Sequence, residues 1–156
     1  MESRLKILQS MPIFGGITDA TLTYLLERAE ILDVATGGYF FREQEIDNSI
    51  YILEQGRVTI YRTWQGREYH LRDLATGDCF GEMALMDCKP RSAAVRALEP
   101  CRAIRIEAGL MYQLYGVDPE QYLMIYMNLG REVCRRLRDA DNRLFLKRCG
   151  GDDPEQ

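Results

Sequence analysis

The sequence predicts a mostly β protein with flanking helices: a double-stranded β-helix, or jelly roll, over residues 30–107, N-terminal helices over 1–29 and a long C-terminal helix over 118–147. Two observations carry this. Short β-type runs follow one another between Glu30 and Ile106, separated by glycine and acidic turns. On both sides of that region the apolar residues return to helical spacing.

At the N-terminus, "LKILQSMPIF" forms a short amphipathic piece that ends near Pro12, which cannot continue a helix. Thr18 or Asp19 caps a second helix running to about Ala29, with Leu22, Leu25, Leu26 and Ala29 on its buried face. The β runs are "EILDV", "GYFF", "SIYIL", "RVTIYR", "REYHLRDL", "SAAVRAL" and "CRAIRI". Turn signals stand at Gly37-Gly38, Glu54-Gln55-Gly56, Gln65-Gly66 and Thr76-Gly77-Asp78. Many short strands at near-regular spacing close into two facing sheets, which leave a cavity where the inward side chains are small. Ala93 and Ala94 are the candidates for that end. From Ala108 the helical period resumes, and Asp118 caps the long helix with Pro119 at its first position. Residues 1–148 thus read as one domain, and 149–156, "CGGDDPEQ" after its first residue glycine-rich and polar, as a disordered tail.

Composition narrows the functions. At 156 residues, with 46% apolar and 28% charged residues, the chain suits one globular domain. A net charge of −4 argues against a nucleic-acid surface, since a phosphate backbone needs a basic face. The arginines of "REVCRRLR" are interrupted by Glu132, Asp139 and Asp141 and read as a solvated helix face. Five cysteines without a C-x-x-C pair suggest neither a disulfide framework nor zinc, so a reducing, cytoplasmic setting is expected. No run approaches the roughly 20 apolar residues of a membrane span, and no signal peptide is expected. A single histidine, His70, cannot build a hydrolytic metal cluster, so neither an enzyme nor a metal site is expected.

The segment "FGEMALMDCKPRSAAV", residues 80–95, has chemistry that packing does not ask for. Gly81 permits a tight backbone turn, after which the N–H groups of Glu82, Met83 and Ala84 open a helical turn as free donors. Arg91 follows nine residues after Glu82. It begins a strand whose alternate positions Ala93, Val95 and Ala97 face inward, so parity turns Arg91 inward as well. A guanidinium in an apolar cavity is costly unless an anion meets it, and a phosphate does so with charge-assisted bonds. Glu82 repels a phosphate but accepts from hydroxyls. Phosphate, sugar hydroxyl and apolar pocket together describe a nucleotide with one phosphate. Read alone, "FGEMAL" would also suit a glycine turn into a core helix.

"GDCFGEMAL" followed by "PRSAAV" resembles the phosphate-binding cassette of the cyclic nucleotide-binding domain family, and "SIYILEQGRVTIYR" is similar to that family's central hairpin. The resemblance covers about residues 5–147. It implies Glu82 on the ribose 2′-hydroxyl and Arg91 on the cyclic phosphate, within a ligand-binding set of Phe80, Gly81, Glu82, Met83, Ala84, Arg91, Ser92 and Ala93. Ser92 departs from the alanine of cAMP-preferring kinase regulatory subunits and the threonine of cGMP-dependent kinases, and looks like the bacterial catabolite activator group. The ligand expected is therefore cAMP, with cGMP the alternative. Where the family commonly has E-G-D in an early turn, this chain has Glu43-Gln44-Glu45. The stretch "CRRL" aligns with the activator helix that forms the dimer and reaches the base, which places the base contact near Ala140–Asn142, at Asp141 or Asn142.

Leu123, Met127, Gly130, Cys134, Leu137 and Leu144 form one four-three seam, interrupted by Asp141. It either packs on the chain's own barrel or joins a second copy in a parallel homodimer through residues 119–147. The reading is a cyclic nucleotide sensor acting on an unknown protein effector. Two alternatives stand beside it: the sensor half of a catabolite-activator-type regulator without its helix-turn-helix, or a degenerate domain used only for protein interaction.

Overall fold

The computed structural model describes residues 1–150. Helix α1 (Glu2–Gln9) and a 3-10 turn (Pro12–Phe14) lead into α2 (Asp19–Arg28). Eight strands follow: β1 (Glu30–Val34), β2 (Tyr39–Phe41), β3 (Ser49–Gln55), β4 (Arg57–Trp64), β5 (Arg67–Ala75), β6 (Cys79–Phe80), β7 (Ala94–Ala97) and β8 (Cys101–Glu107). Helix α3 (Glu82–Asp87) stands between β6 and β7, and α4 (Ala108–Val117) and α5 (Pro119–Arg148) close the described chain. The strands form two antiparallel four-stranded sheets, in the orders β1-β8-β3-β6 and β2-β7-β4-β5.

Strand parity separates two cores. On β3, Tyr51 and Leu53 face the space between the sheets with Val58, Val95 and Ala103, while Ile50 and Ile52 face the helices with Leu22, Leu25, Met111 and Ile125. Both faces of β3 are covered, so "SIYIL" is a continuous buried run with no polar alternation. Caps set the helices. The Thr18 hydroxyl accepts from the Thr21 N–H, and the Asp118 carboxylate accepts from the Gln121 N–H at 3.2 Å. Pro119, lacking an N–H, starts α5 cleanly and separates it from α4.

Three details differ from the sequence reading. Cys79 and Phe80 form a two-residue strand, Tyr51 lying opposite Phe80. Strand β7 starts at Ala94, so Arg91 lies outside it, and parity is not what buries it. The seam of α5 does not pack on the barrel: Leu123 and Leu137 are 58% and 60% exposed, and Met127, Cys134 and Leu144 are exposed too. The helix buries Gln121, Ile125 and Leu129 instead, and is tied down by Asn128, which donates to the Ile13 and Gly15 carbonyls.

Candidate functional site

Glu82 and Arg91 are among the most deeply buried charges of the protein, at 2% and 3% exposure. Both line one cavity of about 710 Å³, together with Phe80, Gly81, Met83, Ala84, Ser92 and Ala93. The structure thus brings together all eight residues expected between positions 80 and 93. Ala94 does not line the cavity, which leaves Ala93 as the small side chain there.

Arg91 is held by local bonds. Its Nη1 donates to the Gly81 carbonyl at 2.9 Å, its Nη2 donates to the Ser49 carbonyl at 2.7 Å, and Nη2 pairs with Asp47 Oδ2 at 3.0 Å. The guanidinium carbon lies 3.9 Å from the centroid of the Phe41 ring. Its backbone is clamped as well: the Gln44 N–H donates to the Arg91 carbonyl and the Arg91 N–H donates to the Glu45 carbonyl. The Glu43-Gln44-Glu45 turn, distant in sequence, is therefore what aims Arg91. Gln44 takes φ +68 there, the left-handed conformation that glycine adopts without strain. The Nε atom of Arg91 is buried without a partner among the described residues. A buried N–H left unpaired marks a place for an acceptor.

Asp47 was not foreseen. Burial alone would raise its pKa, but hydrogen bonds from Tyr51, Ser49 and Arg91 hold the carboxyl below its ordinary value. The Tyr51 phenol, buried and donating to Asp47 at 2.6 Å, is pushed up. Arg136 was also missed: it pairs with Glu82 and reaches Glu132 at 3.5 Å. Burial, and next the neighbouring charge of Arg72, lower the pKa of Arg136. The signal available in the sequence was chemical, since a buried Glu82 demands a cation and α5 is the element able to supply one.

Asp141 and Asn142 are exposed and do not line the cavity; Arg143 does. Helix rotation explains the correction. Counting from Arg136, Arg143 returns to nearly the same face, whereas Asp141 and Asn142 are turned by about 140° and 240°. His70 is exposed, its Nε2 2.8 Å from Asp73 Oδ1. Among the described residues no group of three or more His, Cys, Asp or Glu could hold a metal, and no helix is long and apolar enough to cross a membrane.

The description that matches this geometry is the cyclic nucleotide-binding domain, whose family model fits residues 31–118, more than half of the chain. The chain belongs to the cyclic nucleotide-binding domain family. It is 29% identical over 140 residues to the CRP-like cAMP-activated global transcriptional regulator of Mycobacterium tuberculosis, covering 89% of this chain and 61% of that protein. It is also 29% identical over 103 residues to the cGMP-dependent protein kinase, isozyme 1, of Drosophila melanogaster, covering 64% of this chain and 13% of the kinase. The crystal structure of the Thermus thermophilus catabolite activator protein superposes with a TM-score of 0.77 at 28% identity, over 87% of this chain and 62% of that one. The chain therefore spans about three-fifths of the length of these bacterial regulators. As a family domain it has the mostly β fold with flanking helices and a long C-terminal helix that the sequence predicts.

Proposed function

We propose that this protein is a sensor, and not an enzyme, which binds a 3′,5′-cyclic mononucleotide with Arg91 on the cyclic phosphate and Glu82 on the ribose hydroxyl. One observation carries the reading: two buried side chains of opposite charge open on the same cavity, and the Arg91 Nε there has no partner among the described residues. A degenerate pocket would have no reason to retain two desolvated charges. Glu82 keeps Arg136 as its counter-ion while a hydroxyl donates to it. Both cAMP and cGMP belong to this class, and the names of the regulator and kinase relatives make cAMP the first ligand to test.

The signal leaves through α5. Its pairing of Arg136 with Glu82 ties the helix to the site, and its exposed seam supports a parallel homodimer through residues 119–147 that ligand binding orders. A second reading, the sensor portion of a transcription regulator, is favoured by the alignment over about three-fifths of such proteins. It leaves the ligand site unchanged. In either reading the protein acts in the cytoplasm, on an effector chosen by the dimer state.

A thermal-shift panel of cAMP, cGMP and AMP tests the ligand class, because a ligand that binds only the native state raises its stability. A rise with a cyclic mononucleotide and none with AMP supports the reading. No shift with any cyclic mononucleotide at millimolar concentration contradicts it.

A further inference from the structure

Two arginines line the cavity without a use in that reading, Arg72 on β5 and Arg143 on α5. In a regular strand Leu71 and Arg72 would face opposite sides. Here Ile60 lies opposite Arg72 and Tyr61 opposite His70, so Leu71 is the extra residue of a bulge, and both Leu71 and Arg72 line the cavity. Arg143 follows Arg136 by seven residues, about 10.5 Å further along the same helix face. Arg136 is the partner of Glu82, so Arg143 stands roughly one nucleoside length from the carboxylate that would take the ribose.

Arg72 and Arg143 are exposed and enter no ion pair among the described residues, whereas Arg96, Arg102, Arg105, Arg135 and Arg136 all do. The carboxylate sharing this cavity with them is Asp87, beside Glu82 itself, and Asp78, Glu132 and Asp139 line the adjoining cleft. Glu132 and Asp139 are paired with Arg135, and Asp78 accepts from the Ala75 N–H. The rim nearest the expected base is thus supplied with donors that lack acceptors.

We propose that Arg72 and Arg143 read the base and select a 6-oxopurine over adenine; this rests on the cyclic nucleotide reading of the site. A guanidinium carries five donors and no acceptor. Guanine and hypoxanthine present two acceptors, O6 and N7, on one edge, while adenine presents N7 beside the N6 donor. O6 also belongs to the pairing edge, so a 6-oxopurine meets this rim with an acceptor in either glycosidic orientation. The order expected from the resemblance, cAMP ahead of cGMP, is reversed.

The test is a competition titration of cAMP, cGMP and cIMP on the whole chain. Expected are similar affinities for cGMP and cIMP, each about tenfold or more tighter than cAMP, a ratio that Arg143→Ala and Arg72→Ala together abolish. Because cIMP lacks the 2-amino group, a preference for cGMP not shared by cIMP would move recognition to that amino group and Ser92, and would overturn the proposal. Tighter binding of cAMP would overturn it too. So would equal weakening of all three ligands by Arg143→Ala, since that marks stacking over the ring and not edge recognition. Failure of all three to bind would instead remove the cyclic nucleotide reading on which the proposal rests.

Discussion

A methyl group on Gly81 would stand 2.7 Å from Arg91 Nη1 and 2.8 Å from the Ser49 carbonyl oxygen, at a backbone φ of +85 that side chains rarely adopt. Gly81→Ala must therefore displace the guanidinium. It should weaken cAMP binding by at least about tenfold and cost about 1–3 kcal/mol of unfolding free energy, read by calorimetry and urea titration. Unchanged affinity would mean that Arg91 tolerates displacement. At Gln44 the sign is opposite: φ +68 strains a glutamine, and Gln44→Gly should raise stability by up to about 1 kcal/mol, a gain absent if the turn prefers a side chain. At this scale Glu82 and Arg91 were legible because one short segment holds both, with a fixed spacing and a chemistry that packing does not explain. Asp47 and Arg136 were not, because each is an ordinary surface-type residue until the fold carries it 44 or 54 positions to its partner. Arg91 was read as inward for the wrong reason: the Glu43–Glu45 turn and the Gly81 and Ser49 carbonyls orient it, not strand alternation.

Among the elements, α5 is the one whose two faces have different owners. Its 30 residues bury Gln121, Ile125 and Leu129 against the domain, while Leu123, Met127, Leu137 and Leu144 stay exposed along another line. If that line joins two copies, Leu137→Glu places two like charges across the seam and should give a monomer in sedimentation velocity at tens of micromolar, where the parent chain with cAMP sediments as a dimer. A parent chain that is monomeric with and without cAMP would refute the dimer. The helix itself was legible from its period and its Asp118-Pro119 start, and so was the seam. Which face packs on the barrel was not, since both stripes are apolar and only the position of α5 against the Ile13–Gly15 carbonyls selects one. The lid residue was misplaced for a related reason. An alignment fixes position along the helix axis to a residue or two, and each residue of error rotates the side chain by about 100°.

For the whole molecule, one strand order explains both stability and site. Strand β3 serves the helical core with Ile50 and Ile52 and the inter-sheet core with Tyr51 and Leu53, and its Ser49 carbonyl and the adjacent Asp47 hold Arg91. The site is thus anchored on the most buried strand of the fold, while α5, which touches Glu82 through Arg136, is buried only in its first half. Such an arrangement suits a rigid receptor coupled to a movable helix. Its central claim is that Arg91 receives a cyclic phosphate. Isothermal titration of cAMP into the parent chain, Arg91→Lys and Arg91→Ala measures this most directly, with far-UV circular dichroism confirming that each variant is folded. The account predicts saturable binding to the parent, at least about tenfold weaker binding to Arg91→Ala, and partial loss in Arg91→Lys, whose point charge cannot reproduce the planar fork. Equal affinity of the parent and a folded Arg91→Ala would contradict it.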